Sequence, residues 1–386
     1  MQTYSKSVHF QSFLLFFSLF SQMFPRRISK ICSPPWRFRK LCFLLLLVVL
    51  VNVLLLNLLP LDGTKGRRQD LADGSFRNLS TGPRAAGPRR KAVVLFSRWR
   101  SGSTFMGEVL KKAGRGVFYS YEPLYEYGVH VLYEDIEETH LAVEEVKHIL
   151  RCQFDFGKIE EMLRSNPLLR EACKTSGICK DANHTAEVCR KSSLHVAKVL
   201  RLGLRWARPL LEMEDVDVKL IYLVRDPRAV FSSRAKVAWC STPTCKDVKT
   251  VCSLLEDDLL EASLLQEDYP TRFHFILYDR FCQTPLAALQ KLMGFLGLPV
   301  TRDQEKILQS KLPSMDALSI YKNSSAQAQL WRKRTSFTSV VMPIQRWCWT
   351  SLENLGLRMF FSEKDLGNMS LPVVLQDGES RGLKLV

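Results

Sequence analysis

Two apolar segments of the chain are each followed by a short polar loop and then by a sequence with helical periodicity. Residues 91–96 read KAVVLF and residues 218–224 read VKLIYLV. Short apolar runs rich in β-branched residues are typical of strands buried on both faces. Strand–loop–helix units of this kind predict an α/β fold with a central, largely parallel sheet flanked by helices.

The first of these loops has the composition of an anion-binding loop. Residues 97–104, SRWRSGST, join the first strand to a predicted helix that ends at Gly114 and that Ser103 or Thr104 is expected to cap. A helix N-terminus presents backbone N–H groups and a positive dipole end to an anion. The polar and charged groups of the loop are Arg100, Ser101, Gly102, Ser103 and Thr104. The loop lacks the G-x4-G-K-[ST] sequence of nucleotide-hydrolysing P-loops, and an ordinary strand-to-helix turn is the alternative.

The second loop, RDPR at residues 225–228, has a matching position. It follows the second predicted strand and precedes a helix that opens after Pro227. Ligands in open α/β sheets bind beyond the carboxyl ends of the strands, so Arg100 and Arg225 are expected at one sheet edge. Arg225 and Ser233, eight residues apart, are expected to reach one phosphate. The alternative is a local ion pair between Arg225 and Asp226.

The N-terminal part of the chain carries an apolar segment of membrane-spanning length. Residues 41–59 contain no charge, and 19 residues span a bilayer core as a helix. Six Lys and Arg precede the segment and three follow it, which favours a cytosolic N-terminus. No cleavage site follows, so we expect a retained signal anchor. The predicted organisation is a cytoplasmic tail (1–40), a transmembrane signal anchor (41–61), a flexible stalk (62–90) and a lumenal domain (91–386).

The excess positive charge belongs to this arm. Residues 1–91 hold 15 Lys and Arg against 3 Asp and Glu, whereas the rest of the chain is nearly balanced, with 40 against 36. A nucleic-acid partner is therefore not expected, although a local basic pocket remains compatible with this distribution.

Cysteines and glycosylation sequons both indicate an oxidising lumenal compartment. Four Asn-x-Ser/Thr sequons and nine cysteines lie beyond the apolar segment. We expect a disulfide-stapled insertion around Cys152 to Cys189, and one cysteine that is free or paired between chains, because nine is odd. The spacing of Cys173, Cys179 and Cys189 is a poor zinc pattern, and no metal is expected.

The loops, together with FYSYEPLYEY (118–127) and LVRDPRAVFSSR (223–234), resemble the Golgi carbohydrate 6-O-sulfotransferases. The resemblance extends over residues 91–370. It implies a P-loop-like sulfotransferase fold behind an N-terminal transmembrane helix, and PAPS (3′-phosphoadenosine 5′-phosphosulfate) as the sulfuryl donor. It also implies a glycan acceptor on a glycoprotein or proteoglycan and a single-pass type II Golgi location, and it leaves a homodimer open. Trp99 makes the loop more similar to the enzymes for N-acetylglucosamine than to those for galactose.

The resemblance also implies roles for individual residues. Those matching the 5′-phosphosulfate loop are Arg100, Ser101, Gly102, Ser103 and Thr104, and those matching the 3′-phosphate site are Arg225 and Ser233. Glu122 is the expected general base. Lys198 and Arg201 match a K-x-x-R motif that binds the transferring sulfate or the acceptor. Where the family has Tyr-Glu-Asp after a late strand, this chain has YDRF (278–281).

Each of the catalytic assignments has an alternative. Glu122 could be an exposed residue before a turn, and Lys198 and Arg201 could lie on a solvated face. His195 is a rival base, or more simply a structural histidine. For the whole protein, the alternatives are a Golgi glycosyltransferase and a non-enzymatic glycan-binding protein. Asp215-Val216-Asp217 has the letters of a glycosyltransferase metal motif but precedes its strand instead of following it.

Overall fold

In the computed structural model, five parallel strands form one sheet in the order β2-β3-β1-β4-β5. The strands are β1 (Arg90–Ser97), β2 (Val117–Tyr121), β3 (Leu194–Val199), β4 (Val216–Val224) and β5 (Phe273–Leu277). The two strands predicted from the sequence are β1 and β4. They pair directly, with Ser97 opposite Leu223, so the loops that follow them leave the same sheet edge. The predicted parallel sheet is confirmed.

The structure describes residues 89–155, 157, 182–309 and 328–376. All of these belong to the unit Pro83–Val386. The predicted tail, the predicted anchor and residues 62–88 of the predicted stalk lie outside the described residues. Within the described part of the chain, no helix is long and apolar enough to cross a membrane.

Helices connect the strands and cover the sheet. The α-helices up to β5 are α1 (Ser103–Lys111), α2 (Glu137–Leu150), α3 (Ala182–Arg190), α4 (Arg208–Leu211), α5 (Pro227–Arg234), α6 (Pro243–Lys246) and α7 (Val248–Asp268). Those after it are α8 (Tyr278–Phe281), α9 (Pro285–Leu296), α10 (Arg302–Gln309), α11 (Met342–Trp347), α12 (Trp349–Asn354) and α13 (Glu363–Gly367). Single 3-10 segments occupy Tyr125–Tyr127, Leu204–Ala207 and Leu330–Lys333.

The side chains of β1 alternate between two apolar layers, one on each face of the sheet. Val94 and Phe96 pack in the layer that includes α2 and α7. Val93 and Leu95 pack in the opposite layer, with α1, α9 and α10. Because successive strand residues point to opposite faces, an unbroken apolar run satisfies both layers. The α/β class, with helices on both faces, is confirmed.

The helix after the first loop differs from its prediction at both ends. Gly102, not Ser103 or Thr104, is the N-cap of α1, and α1 ends at Lys111, before Gly114. Gly102 has a positive φ of 95°, a conformation that glycine adopts without a Cβ penalty. Gly102 has no side chain, so it has no hydrogen-bond acceptor that would compete with an anion for the backbone N–H groups in the first turn of α1.

Three disulfides connect the described cysteines: Cys152–Cys189, Cys240–Cys245 and Cys252–Cys348. The first joins the end of α2 to α3, as expected of a stapled insertion. Cys282 is buried and forms no disulfide with a described cysteine. Cys173 and Cys179 lie outside the described residues.

Candidate active site

The predicted anion-binding loop at residues 97–104, named the phosphate loop after its predicted role, is held in a strained conformation against the start of α8. Arg100 has a φ of 71°, which is uncommon for a residue with a side chain. A Cβ at Gly102 would lie 2.5 Å from Cδ2 of Tyr278, so this backbone turn fits only a glycine. Non-glycine residues held in sparsely populated backbone regions cluster at functional sites. The conformation therefore supports a binding loop over an ordinary turn.

Three of the predicted donor-site residues contact one another directly. Nε of Arg100 donates to Oγ of Ser233 (2.9 Å), and Nη1 of Arg225 donates to the backbone oxygen of Arg100 (3.2 Å). Burial, followed by the charge of Arg225, lowers the pKa of Arg100 from its usual value. The strand ends thus bring two guanidinium groups and a hydroxyl together at one sheet edge.

The alternative ion pair between Arg225 and Asp226 is not the arrangement observed. Asp226 instead caps α5 by accepting from the backbone N of Arg228 (2.9 Å) and forms a fully buried salt bridge with the Arg228 guanidinium (2.8 Å). Asp226 thus stabilises the start of α5, and the guanidinium of Arg225 contacts the phosphate loop.

Asp279, which has no predicted role, stabilises the loop before α5. Its Oδ2 accepts from the backbone N of Asp226 (2.7 Å). Burial, and then the charge of Asp226, raise the pKa of Asp279 to about 6. The ring centre of the preceding residue, Tyr278, lies 5.0 Å from the Arg225 guanidinium. The sequence signal for Asp279 is YDRF at the end of a strand, where the resembling family has Tyr-Glu-Asp.

A buried ion triad lies beside the phosphate loop. Glu122 forms salt bridges with Lys198 (3.0 Å) and Arg201 (2.9 Å). Their exposed fractions are 9%, 0% and 2%, so neither an exposed glutamate nor a solvated face describes them. Burial alone would raise the pKa of Glu122, but the two cations outweigh it and the pKa is lowered. The two cations therefore favour the ionised form of the Glu122 carboxyl group. The backbone φ of Glu122 is positive, at 48°.

Lys198 connects the triad to the phosphate loop. Its Nζ lies 3.5 Å from Oγ1 of Thr104, in the first turn of α1, and 3.5 Å from the centre of the Tyr121 ring. The β2–β3 register sets Tyr121 opposite Lys198, which brings Glu122 to the ammonium group. The predicted donor-site and catalytic residues thus form two adjoining groups.

His195, the rival base, is a structural residue. It is fully buried on β3, its Nε2 lies 2.8 Å from Oγ of Ser120, and burial lowers its pKa to about 3. Its Nδ1 faces Cys189, whose sulfur is bonded to Cys152 and so is not a thiolate ligand.

Arg234, also missed from the sequence, ties the phosphate loop to the Cys240–Cys245 loop. Its guanidinium donates to the backbone oxygen of Trp99 (3.1 and 3.2 Å) and to that of Cys245 (2.8 Å). Such contacts between distant backbone oxygens leave no local pattern in the sequence.

The Asp-x-Asp sequence takes the place expected for a loop. Asp215 precedes β4 and bonds Nε of Arg151 at 2.7 Å, and Val216 and Asp217 begin the strand. The letters of the glycosyltransferase motif therefore do not occupy a strand-end position.

A loop between a strand end and a helix N-terminus, beside a buried carboxylate and two cations, is an arrangement that can bind an anion. The chain belongs to the sulfotransferase domain family, whose model matches residues 90–339. It is 27% identical to human carbohydrate sulfotransferase 6 over 349 residues, which covers 76% of this chain and 87% of that protein. It is 25% identical to carbohydrate sulfotransferase 5 of Mus musculus, over 78% of this chain and 89% of that one. The predicted resemblance to carbohydrate sulfotransferases, and the prediction of an enzyme, are confirmed.

Solved structures with a similar fold share little sequence. The sulfotransferase domain of a Synechococcus olefin synthase is 18% identical, with a TM-score of 0.39 over 68% of this chain and 94% of that one. A mouse sulfotransferase, SULT7A1, complexed with PAP, is 14% identical, with a TM-score of 0.35 over 67% of this chain and 86% of that one.

Proposed function

We propose that the chain transfers the sulfuryl group of PAPS to the 6-hydroxyl of a sugar on a glycoprotein or glycosaminoglycan. N-acetylglucosamine is the favoured acceptor, with galactose and N-acetylgalactosamine as alternatives. The observation that carries the proposal is the juxtaposition, through Lys198, of an anion-binding loop and a buried ionised glutamate.

The residues of the two strand ends fit a donor with two anionic groups. At the first, the N-cap Gly102 makes no side-chain hydrogen bond to the backbone N–H groups of α1, and Arg100 adds a charge. At the second, Arg225 and the hydroxyl of Ser233 stand at the opening and the last turn of α5. An anion beside Arg100 and Arg225 would also offset the repulsion between their charges.

PAPS supplies, when bound, an activated sulfuryl group with a phosphate leaving group. The sugar oxygen attacks sulfur as the bond from sulfur to the phosphate oxygen breaks, and the hydroxyl proton passes to a carboxylate oxygen of Glu122. The products are a sulfated sugar and PAP. Arg100, Ser101, Ser103 and Thr104 stabilise the charge that collects on the leaving phosphate.

The ion triad suggests how the basicity of Glu122 increases for the proton transfer from the sugar hydroxyl. With Lys198 and Arg201 both bound, its pKa is depressed and it is a weak base. Nζ of Lys198 lies 3.5 Å from Oγ1 of Thr104, so a small shift of Nζ towards the phosphate loop would weaken the salt bridge between Lys198 and Glu122. Arg201 would remain to orient the carboxylate, and the pKa of Glu122 would rise.

The enzyme is further proposed to work in the Golgi lumen as a single-pass type II membrane protein. The apolar segment at residues 41–59, the sequons and the disulfides of the described domain support this location.

The first experiment is sulfate transfer from radiolabelled PAPS by a secreted form that begins near Asp70. The acceptors are oligosaccharides ending in N-acetylglucosamine or galactose, and chondroitin. We expect label at a 6-hydroxyl, with Arg100→Ala and Arg225→Ala raising the KM for PAPS at least tenfold. Glu122→Gln is expected to lower kcat by about 10²- to 10⁴-fold with little change in PAPS binding.

His195→Gln provides the matched control for the base, because His195 lies on β3 three residues before Lys198 and belongs to the structural core. Full activity in Glu122→Gln would remove Glu122 as the base. Absence of PAPS binding by the folded protein would overturn the proposal as a whole.

A further inference from the structure

The salt bridge to Glu122 does not by itself satisfy the buried ammonium group of Lys198. The side chain of Lys198 is fully buried, and the Glu122 carboxylate lies 3.0 Å from its Nζ. An ammonium group has three donors, and its contact with Oγ1 of Thr104 is long, at 3.5 Å. Burial lowers the pKa of Lys198 from its usual value, although the charge of Glu122 acts against that shift. A further partner is therefore needed to compensate the buried charge.

The aromatic ring of Tyr121 is that further partner. Nζ of Lys198 lies 3.5 Å from the centre of the ring. The β2–β3 register sets Tyr121 opposite Lys198, so the contact is built into the sheet. A cation over the face of an aromatic ring is attracted by the ring quadrupole, and the attraction is larger where water is excluded. The ring of Tyr121 therefore stabilises the ammonium group at the edge of the phosphate loop.

Arg201, the second cation of the triad, is held in a different way. Its Nη1 donates to the Glu122 carboxylate (2.9 Å), and its Nε donates to the backbone oxygen of Gly128. The backbone contact fixes Arg201 independently of Glu122. The contacts of the Lys198 ammonium group described above are instead all with side chains. Lys198 is therefore the cation of the triad that can move while Arg201 stays in place.

We propose that Tyr121 is a positioning residue, whose ring face holds the Lys198 ammonium group beside the phosphate loop while the salt bridge from Lys198 to Glu122 weakens. The ring binds the cation without competing for the proton that Glu122 takes up. With a weaker ring contact, Lys198 would stay closer to Glu122, and the carboxylate would remain a weak base. This inference rests on the proposed function and adds a residue to it.

The test varies the charge of the ring face at position 121 while its size changes little. In the full chain in detergent, Tyr121 is replaced by phenylalanine and then by 4-fluoro-, 3,5-difluoro- and 3,4,5-trifluorophenylalanine. Fluorine withdraws electron density from the ring face, so the attraction to a cation weakens at each step. The hydroxyl of Tyr121 hydrogen-bonds Thr104 and Glu122, and every member of the series lacks it. Comparison within the series therefore reports on the ring face alone.

Sulfate transfer from radiolabelled PAPS is measured across this series, with an acceptor that wild type sulfates. We expect kcat to fall stepwise, by about tenfold from phenylalanine to the trifluoro variant, with little change in the KM for PAPS. The acid limb of the kcat–pH profile should move to lower pH along the series, because a closer Lys198 lowers the pKa of Glu122 further. A side chain that acts only through packing would not move the acid limb in this way.

Tyr119 provides the matched control. It lies two residues before Tyr121 on β2, and the centres of the two rings are 6.2 Å apart. Its buried hydroxyl has no hydrogen-bond partner among the described residues. The same series at position 119 should leave kcat and the pH profile unchanged. Equal kcat values along the series at position 121, an equal decline at both positions, or a decline without a shift of the acid limb would each overturn the inference.

Failure of the proposed function is distinguishable from failure of this inference. If no sulfate is transferred, urea denaturation of the same variants, followed by tryptophan fluorescence, decides. The midpoint should fall stepwise along the series at position 121 and not at position 119, and the fall should disappear in Lys198→Met, which carries no charge. Should Lys198→Met not fold, the comparison of the two positions decides by itself. Equal midpoints along the series at position 121 would overturn the inference.

Discussion

At the scale of single residues, the site depends on backbone conformations that most residues avoid. The described residues with positive φ include Arg100 (71°), Gly102 (95°) and Glu122 (48°), all of them in the site. Each such non-glycine conformation costs about 1–3 kcal/mol and persists only where the surroundings impose it. The contacts of Arg100 with Ser233 and of Glu122 with Lys198 and Arg201 supply that constraint.

Gly102→Ala tests the tight turn. The new methyl group would lie 2.5 Å from Cδ2 of Tyr278, in a backbone conformation that alanine disfavours. We expect a loss of about 2–4 kcal/mol in the free energy of unfolding, measured by urea denaturation, and a raised KM for PAPS.

Gly294→Ala is the matched control for this change. Gly294 lies inside α9, and a Cβ there would meet nothing within 4 Å. Since alanine is the better helix former, this variant should be as stable as wild type or more stable by up to about 1 kcal/mol. An equal loss in both variants would contradict the role given to the Tyr278 contact.

How far the sequence predicts each site residue depends on whether its position follows from a local rule. Arg100 and Arg225 lie together as predicted, because residues after parallel strands meet at one sheet edge. The salt bridges of Glu122 depend on the β2–β3 register, which sets Tyr121 opposite Lys198 and which no local pattern specifies. Asp279 was missed for a similar reason, since its partner is a backbone N 53 residues away.

At the scale of elements, the loop before α5 is the junction on which the donor site depends. Asp226 caps α5, and Asp279 at α8 holds the backbone N of Asp226. Both carboxyl groups are buried, at 0% and 3% exposure. The proximity of two buried carboxyl groups makes this junction sensitive to pH.

Asp279→Asn tests that sensitivity. The pKa of Asp279 is raised from 3.8 to about 6 by burial and then by Asp226. Between about pH 4 and pH 6 the folded state therefore keeps a proton that the unfolded state has lost, and stability falls as the pH rises through this window. We expect Asp279→Asn, which stays neutral and keeps an acceptor oxygen, to remove that fall when urea denaturation is measured from pH 4 to pH 7.

An exposed aspartate serves as the control. Asp303 in α10 is 63% exposed and pairs with Lys306, so Asp303→Asn should leave the slope as in wild type. If the stability of Asp279→Asn also falls with pH as in wild type, a group other than Asp279 binds the proton that the folded state keeps.

At the scale of the whole molecule, the sequence predicts the layers of the fold better than its cross-links. An unbroken apolar strand requires a layer on both faces, and the alternation of Val93 and Val94 between the two layers fulfils that requirement. Disulfide connectivity has no such rule, because it depends on which cysteines the complete fold brings within bonding distance. Cys252 and Cys348, 96 residues apart, pair across the start of α7 and the junction of α11 and α12.

The disulfides differ in how much of the chain they constrain, and this difference gives a prediction for stability. Cys252–Cys348 closes a loop of 96 residues, whereas Cys240–Cys245 closes one of 5. In the chain-entropy description, a cross-link restricts the unfolded state more when the loop is longer. We expect Cys252→Ser/Cys348→Ser to lose about 5 kcal/mol and Cys240→Ser/Cys245→Ser about 2 kcal/mol in urea denaturation. Each pair of serines controls for the other, because all four cysteines are buried. Equal losses would mean that local packing around the sulfurs, and not loop closure, sets the contribution of these bonds.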